Sequence, residues 1–220
     1  MAGVIYSKNF ASVGNNILAT VMQTPPRLII ATRNAHKTGE IRAMIGTRFE
    51  VLDATDFPDF PEIEETGVTF LENARLKAEG ISGRIDGWVL SDDSGLEVSA
   101  LGGAPGVWSS SFGGEEGNHA KNNARLLAEM AGQADRSARF VCTMVLARGG
   151  VVQAHFRGVV EGRLVDALHG TGGFGYDPLF IPEGHEQTFA ELGDEVKNSL
   201  SHRSRALAQA IAFLECEGAK

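Results

Sequence analysis

Positive charge is scarce in this chain: 20 Lys and Arg stand against 28 Asp and Glu, a formal charge of −8 over 220 residues. That balance excludes a sequence-wide basic field for the backbone of DNA or RNA, so no nucleic-acid partner is expected and any phosphate must be held by a local cluster. Cysteine is nearly absent. Cys142 and Cys216 lack CxxC or Cys/His ligand spacing, which predicts reduced structural thiols and a cytoplasmic protein. No apolar run approaches the length of a membrane span, and residues 1–26 are too polar in their middle for a signal peptide. Those residues are expected to be a disordered extension, since the first structural signal follows Pro25 and Pro26. A Walker A loop, GxxxxGK[ST], is also missing.

What is present, from about residue 27 to 217, reads as one catalytic domain, and 43% hydrophobic residues suffice for a core. "RLIIAT" suits a buried strand, and "NAHKTGEIRAMIG" puts Ile41, Met44 and Ile45 on one helical face with Gly46 as a stop. In "VTFLENARLKAEG", Thr69 and Glu72 have capping-box spacing, followed by Phe70, Ala74, Lys77 and Ala78 along one side. "GWVLSDDSG" predicts a strand ending at two carboxylates, and "NHAKNNARLLAEMAG" a helix burying Leu126, Leu127 and Met130 with Gly132 as C-cap. Two β-rich runs about Gly149 and Gly150 predict a hairpin, and "SLSHRSRALAQAIAFLECEG" a final amphipathic helix carrying Leu207, Ile211 and Leu214. Early alternation and a later hairpin imply an α/β fold with a mixed sheet and helices packed on it.

Four stretches could carry chemistry. In "ATRNAHK", Thr32, Asn34 and Lys37 fall in a strand-to-helix turn, where free amides and the helix dipole can hold an anion; Asn34 as a plain N-cap is the competing reading. "SDDSG" offers Asp92 and Asp93, with Glu64 and Glu65 upstream in "EIEETG", as hard oxygen ligands of the kind Mg²⁺ prefers; an Asx-type turn is the alternative. "GTGGFGYDP" formally satisfies GxGxxG, but Pro178 and the lack of a following helix remove the dinucleotide context. What it leaves is Phe174 and Tyr176 as stacking faces and Asp177 as a base-edge carboxylate, or else two ordinary core aromatics. In "KNSLSHRSRAL", Lys197, His202 and Arg203 cluster at the expected start of the final helix, where they oppose the dipole and call for an anionic or carbonyl ligand.

In this order "ATRNAHK", "EETGVTFLENARLKA", "SDDSGLEVSALGGAPGV", "GTGGFGYDPLF" and "KNSLSHRSRAL" resemble the Ham1/RdgB-type inosine triphosphate pyrophosphatases over about residues 27 to 215. The resemblance implies an elongated mixed sheet in two lobes around a central nucleotide cleft, usually as a homodimer. It implies Mg²⁺-dependent hydrolysis of ITP, dITP and XTP to the monophosphate and pyrophosphate. Carried over by position, Asp93 would be the general base and, with Glu65, a metal ligand. The turn Thr32, Arg33, Asn34, Ala35, His36 and Lys37 would hold the triphosphate, with Lys77 reaching in and Ser94 touching substrate. Phe174, Gly175, Tyr176 and Asp177 would frame the base, and Lys197, His202 and Arg203 would read its 6-oxo group.

Two positions depart from the family pattern: Arg33 stands where glycine is common, and Ser110 or Ser111 where an arginine is expected. Two rival classes are a haloacid-dehalogenase-type phosphohydrolase, whose DxDx[TV] spacing "SDDSG" lacks, and a nucleotide-binding regulator, which would leave the carboxylates without a purpose.

Overall fold

The structure, a computed structural model, describes residues 25–218. All but the last two residues of the expected N-terminal extension lie outside the described residues. Six strands form one sheet in the order β2-β1-β3-β4-β5-β6: β1 (Arg27–Ile30), β2 (Glu50–Asp53), β3 (Trp88–Val98), β4 (Ser137–Arg148), β5 (Val151–Leu164) and β6 (Phe180–Pro182). β1 is parallel to β2 and β3, whereas β3, β4, β5 and β6 run antiparallel in succession. The sheet is therefore mixed, and β3 is the strand at which its sense changes. Gly149 and Gly150, at φ 59° and 78°, close the β4–β5 hairpin, a conformation that other residues adopt at a cost.

Helices cover both faces. α1 (Ala35–Ile45) and α5 (His202–Gly218) pack Ile41, Ile45, Leu207, Ile211 and Leu214 against Leu28, Ile30, Leu90 and Met144. On the opposite face α2 (Phe70–Ser82) lays Ala74 and Ala78 on Val145 and Ala147. Its Thr69–Glu72 capping box forms as the spacing predicted. A second core gathers Leu96, Phe140, Val160 and Phe180 with Leu126 of α3 (His119–Glu129) and Phe189 of α4 (Phe189–Leu200).

Three expectations are corrected. β3 does not end at the carboxylates, because β4 pairs with it from Val89 through Val98 and carries it four residues beyond Ser94. α3 is capped by Met130, with Gly132 (φ 76°) two residues beyond. The stretch expected as one final helix is split at Ser201, whose φ/ψ of −65°/163° is extended and whose Oγ accepts from the Ser204 amide. Lys197 consequently sits in the last turn of α4, where the dipole favours a cation, and only His202 and Arg203 open α5.

Candidate active site

Strand alternation decides what the two adjacent aspartates do. Successive side chains on β3 point to opposite faces, so the adjacent Asp92 and Asp93 take different hydrogen-bond partners. Asp92 faces α1 and α5; Asp93 faces α2.

On the first face Asp92, 1% exposed, takes Arg203 Nε and Nη2 on Oδ2 at 3.2 and 3.1 Å, while Lys37 Nζ lies 3.2 Å from Oδ1 as an ion pair. Burial works against its charge, but Lys37 and Arg203 overcome this and hold the carboxyl well below the usual range. The network continues through Glu40 of α1, which pairs with both Arg203 and Lys197 and is lowered by them against burial. Lys197 in turn donates to Asp177, whose Oδ2 also accepts from the Phe174 amide at 2.8 Å. The buried cations Lys197 and Arg203 are thus matched by carboxylates of the chain itself, a condition for keeping such charges out of water.

On the second face Asp93 is 7% exposed, with Asn73 Nδ2 3.3 Å from Oδ2 and Lys77 Nζ 3.4 Å from Oδ1. Lys77 also reaches Glu65 Oε2 at 2.9 Å, so one ammonium lies between the two carboxylates predicted as metal ligands. Burial first, then repulsion from Glu65 and Asp92, push Asp93 up to about 6 despite Lys77 and Lys37. Here negative charge exceeds what the chain neutralises. Among the described residues no group of three His, Cys, Asp or Glu is arranged to hold a metal. Two hard carboxylates that leave positions for water and phosphate oxygens nevertheless suit Mg²⁺.

The β1–α1 turn forms one wall. Asn34 is the N-cap, its Oδ1 accepting from the His36 and Lys37 amides at 3.0 and 3.2 Å, while Thr32 Oγ1 takes the Asn34 amide. Asn34 is therefore the plain N-cap of the competing reading, and its side chain satisfies those amides. Arg33 spans to the Phe60 carbonyl at 2.8 Å, which turns the non-glycine side chain along the cleft wall. Ala35 and His36 border a neighbouring depression shared with Phe174, and the His36 ring stacks on Phe174 at 5.1 Å.

All these walls meet in a cleft of about 730 Å³, large enough for a nucleotide. Thr32, Arg33, Asn34, Lys37 and Lys77 line it with Glu65 and Asp93, and Phe174, Gly175, Tyr176 and Asp177 line it with Lys197 and His202. Arg203 and Ser94, hydrogen-bonded at 2.8 Å, join the two groups. Tyr176 is not an open stacking face: it is 3% exposed and its hydroxyl donates to the Ser109 carbonyl at 2.8 Å. Phe174 keeps partial exposure, with Lys197 Nζ 4.4 Å from its ring centroid. His202 is 4% exposed and stacks on Phe140 at 4.8 Å; burial and the nearby Arg203 and Lys197 hold it well below its ordinary pKa, so the ring is neutral. Its Nδ1 is buried without a hydrogen-bond partner. Where arginine was expected, Ser110 and Ser111 line the cleft beside Trp108, which is 61% exposed.

Sequence reasoning missed Glu40 and Asn73. Glu40 lies one helical turn after Lys37, a spacing that places both on one side of α1. Asn73 lies one turn before Lys77 on α2, so the same periodicity could have found it.

A dITP/XTP pyrophosphatase of Geobacter sulfurreducens is 48% identical over 186 residues, covering 83% of this chain and 93% of that protein. The dITP/XTP pyrophosphatase of Exiguobacterium sibiricum is 48% identical over 191 residues, covering 86% and 96%. Among solved structures, the Ham1 protein of Staphylococcus aureus superposes with a TM-score of 0.78 at 38% identity, covering 87% of this chain and 99% of that one. The sequence model of the Ham1 family matches residues 28–213, and the chain belongs to that family.

Proposed function

We propose that the protein hydrolyses non-canonical purine nucleoside triphosphates, ITP, dITP and XTP, to the monophosphate and pyrophosphate, removing them from the nucleotide pool. The observation that carries this reading is the separation made by β3: a charge-poised Asp93 facing Glu65 and Lys77 in the cleft, and a neutralised Asp92 behind it. The names of the relatives point the same way.

Asp93 acts as general base, taking a proton from a water aimed at the α-phosphorus. The water oxygen bonds to phosphorus, the bond to the bridging oxygen breaks, and pyrophosphate leaves with the electron pair. A carboxyl near 6 is mostly ionised at neutral pH yet basic enough to accept that proton. Lys77, Lys37 and Arg33 carry the triphosphate charge, and Ser94 contacts substrate. Mg²⁺, held by Glu65 and Asp93, would supply further charge neutralisation on the phosphates.

Phe174 offers the purine a ring face. The neutral His202 ring lines the cleft, and its single N–H gives a 6-oxo group a donor; a 6-amino group presents donors instead and leaves buried groups unpaired. A cytoplasmic homodimer completes the proposal, supported by the family resemblance and the unbridged cysteines.

Ion-exchange analysis of products from ITP, XTP, GTP and ATP incubated with protein and Mg²⁺ tests the reading. IMP or XMP with stoichiometric pyrophosphate is expected, with little from GTP or ATP and none after chelation by EDTA. Orthophosphate with a nucleoside diphosphate, or no turnover, overturns it.

A further inference from the structure

Asn73 is 4% exposed and makes two contacts that lead to the two cleft carboxylates. Its Oδ1 accepts from the Gly67 amide at 2.7 Å, and its Nδ2 donates to Asp93 Oδ2 at 3.3 Å. The orientation of the amide is fixed by its partners, since a backbone N–H can only donate and an ionised carboxylate can only accept. Gly67 is two residues from Glu65 and is pressed against the helix. A Cβ there would lie 2.7 Å from Asn73 Oδ1 and 2.6 Å from Glu72 Cβ, so no side chain fits without moving the segment. The amides of Val68 and Thr69, bound by Glu72 Oε2 at 2.8 and 3.0 Å, seat the rest of the segment on the first turn of α2.

We propose that Asn73 is a positioning residue that sets the separation and aim of Glu65 and Asp93 for a divalent cation. Its amide anchors Asp93 Oδ2 from the rear, which leaves Oδ1 directed toward Lys77 and Glu65. Its carbonyl fixes the backbone that delivers Glu65 to the same ammonium. An amide is suited to this task because it donates to one group and accepts from another at a fixed distance. Aspartate would lose the donor, and serine would lose the reach. The inference rests on the reading of Glu65 and Asp93 as a metal pair, and it assigns Asn73 the task of holding both members of that pair in place.

The test is equilibrium Mn²⁺ binding, followed by the electron paramagnetic resonance of free Mn²⁺, on the full chain and four variants, with thermal unfolding alongside. Asn73→Ala is expected to weaken Mn²⁺ binding about tenfold or more, the cost typical of losing a partner behind a metal ligand. Gly67→Ala, which forces the segment off Asn73, is expected to weaken it as well and carries the test should Asn73→Ala fail to fold. Thr69→Ala loosens the same helix start without touching either carboxylate; it should lower the melting temperature and leave Mn²⁺ affinity within twofold. Wild-type affinity in a folded Asn73→Ala or Gly67→Ala overturns the proposal, as does an equal loss in Thr69→Ala. Asp93→Asn separates the two layers. If it weakens Mn²⁺ binding while Asn73→Ala does not, only the role of Asn73 falls. Unchanged affinity in Asp93→Asn, or no saturable binding by the wild type, removes the metal pair itself.

Discussion

Asp93 is a buried carboxylate kept at a disadvantage, with burial and two neighbouring carboxylates raising it from the ordinary aspartate value toward 6. Replacing it by asparagine should abolish pyrophosphate release and at the same time stabilise the fold. A group whose folded pKa is raised binds its proton more readily folded than unfolded, so its ionised form at neutral pH opposes folding. The gain of Asp93→Asn should therefore be largest above pH 6, on the order of 2 kcal/mol, and shrink as pH falls through 6 toward 4. Melting curves of the two proteins at pH 7.5 and pH 5 measure it; an equal difference at both would contradict the assignment. That two aspartates stand together was visible in the sequence. That they serve different faces was not, because a strand ending at the pair, rather than running through it, hides the alternation. Tyr176 shows the converse limit, since composition cannot tell a stacking ring from one that is buried and hydrogen-bonded.

At the level of elements, the site depends on how closely α5 lies on β5. A Cβ on Gly158 would come within 2.0 Å of the His202 carbonyl and 2.6 Å of the Ala206 nitrogen, both backbone atoms that cannot yield alone. Gly158→Ala should lift the start of α5, displace His202 and Arg203, raise KM for ITP more than it lowers kcat, and cost about 1–3 kcal/mol. Steady-state kinetics with thermal unfolding checks this, and an unchanged KM would show that α5 does not govern base binding. Strands flanking the Gly149–Gly150 turn and the capped α2 were legible because turn chemistry and capping are local. α4 was not, since Gly193 (φ 79°) interrupts its helical geometry and the extended Ser201 ends it in the middle of a stretch that reads as one continuous helix. β2 is four residues long and owes its existence to pairing with β1, which no local pattern records.

Across the whole molecule, Glu40 and Asp92 on one side and Asp177 on the other are joined through Lys197 and Arg203, a network that ties α1 and α5 of the first core to α4 of the second. Lys197→Ala would strand Asp177 and Glu40 beside each other and should cost about 3–5 kcal/mol, whereas Lys77→Ala should impair turnover and cost less, because Glu65 is half-exposed and Asp93, raised to about 6, can take up a proton. Denaturant titration of both variants discriminates; similar losses would mean the two lysines share one role. The overall architecture was readable from five ordered motifs, yet this network was not, because its members lie up to 163 residues apart. The alternation along β3 also acts as a reading frame. Delete one residue between Trp88 and Ser91, keep the pairing with β1, and Asp93 slides into the place of Asp92 while Ser94 arrives before Lys77. Arg203 would still meet a carboxylate, so the charges behind the strand would remain balanced; the cleft would be left holding an alcohol in place of the carboxylate proposed as its base.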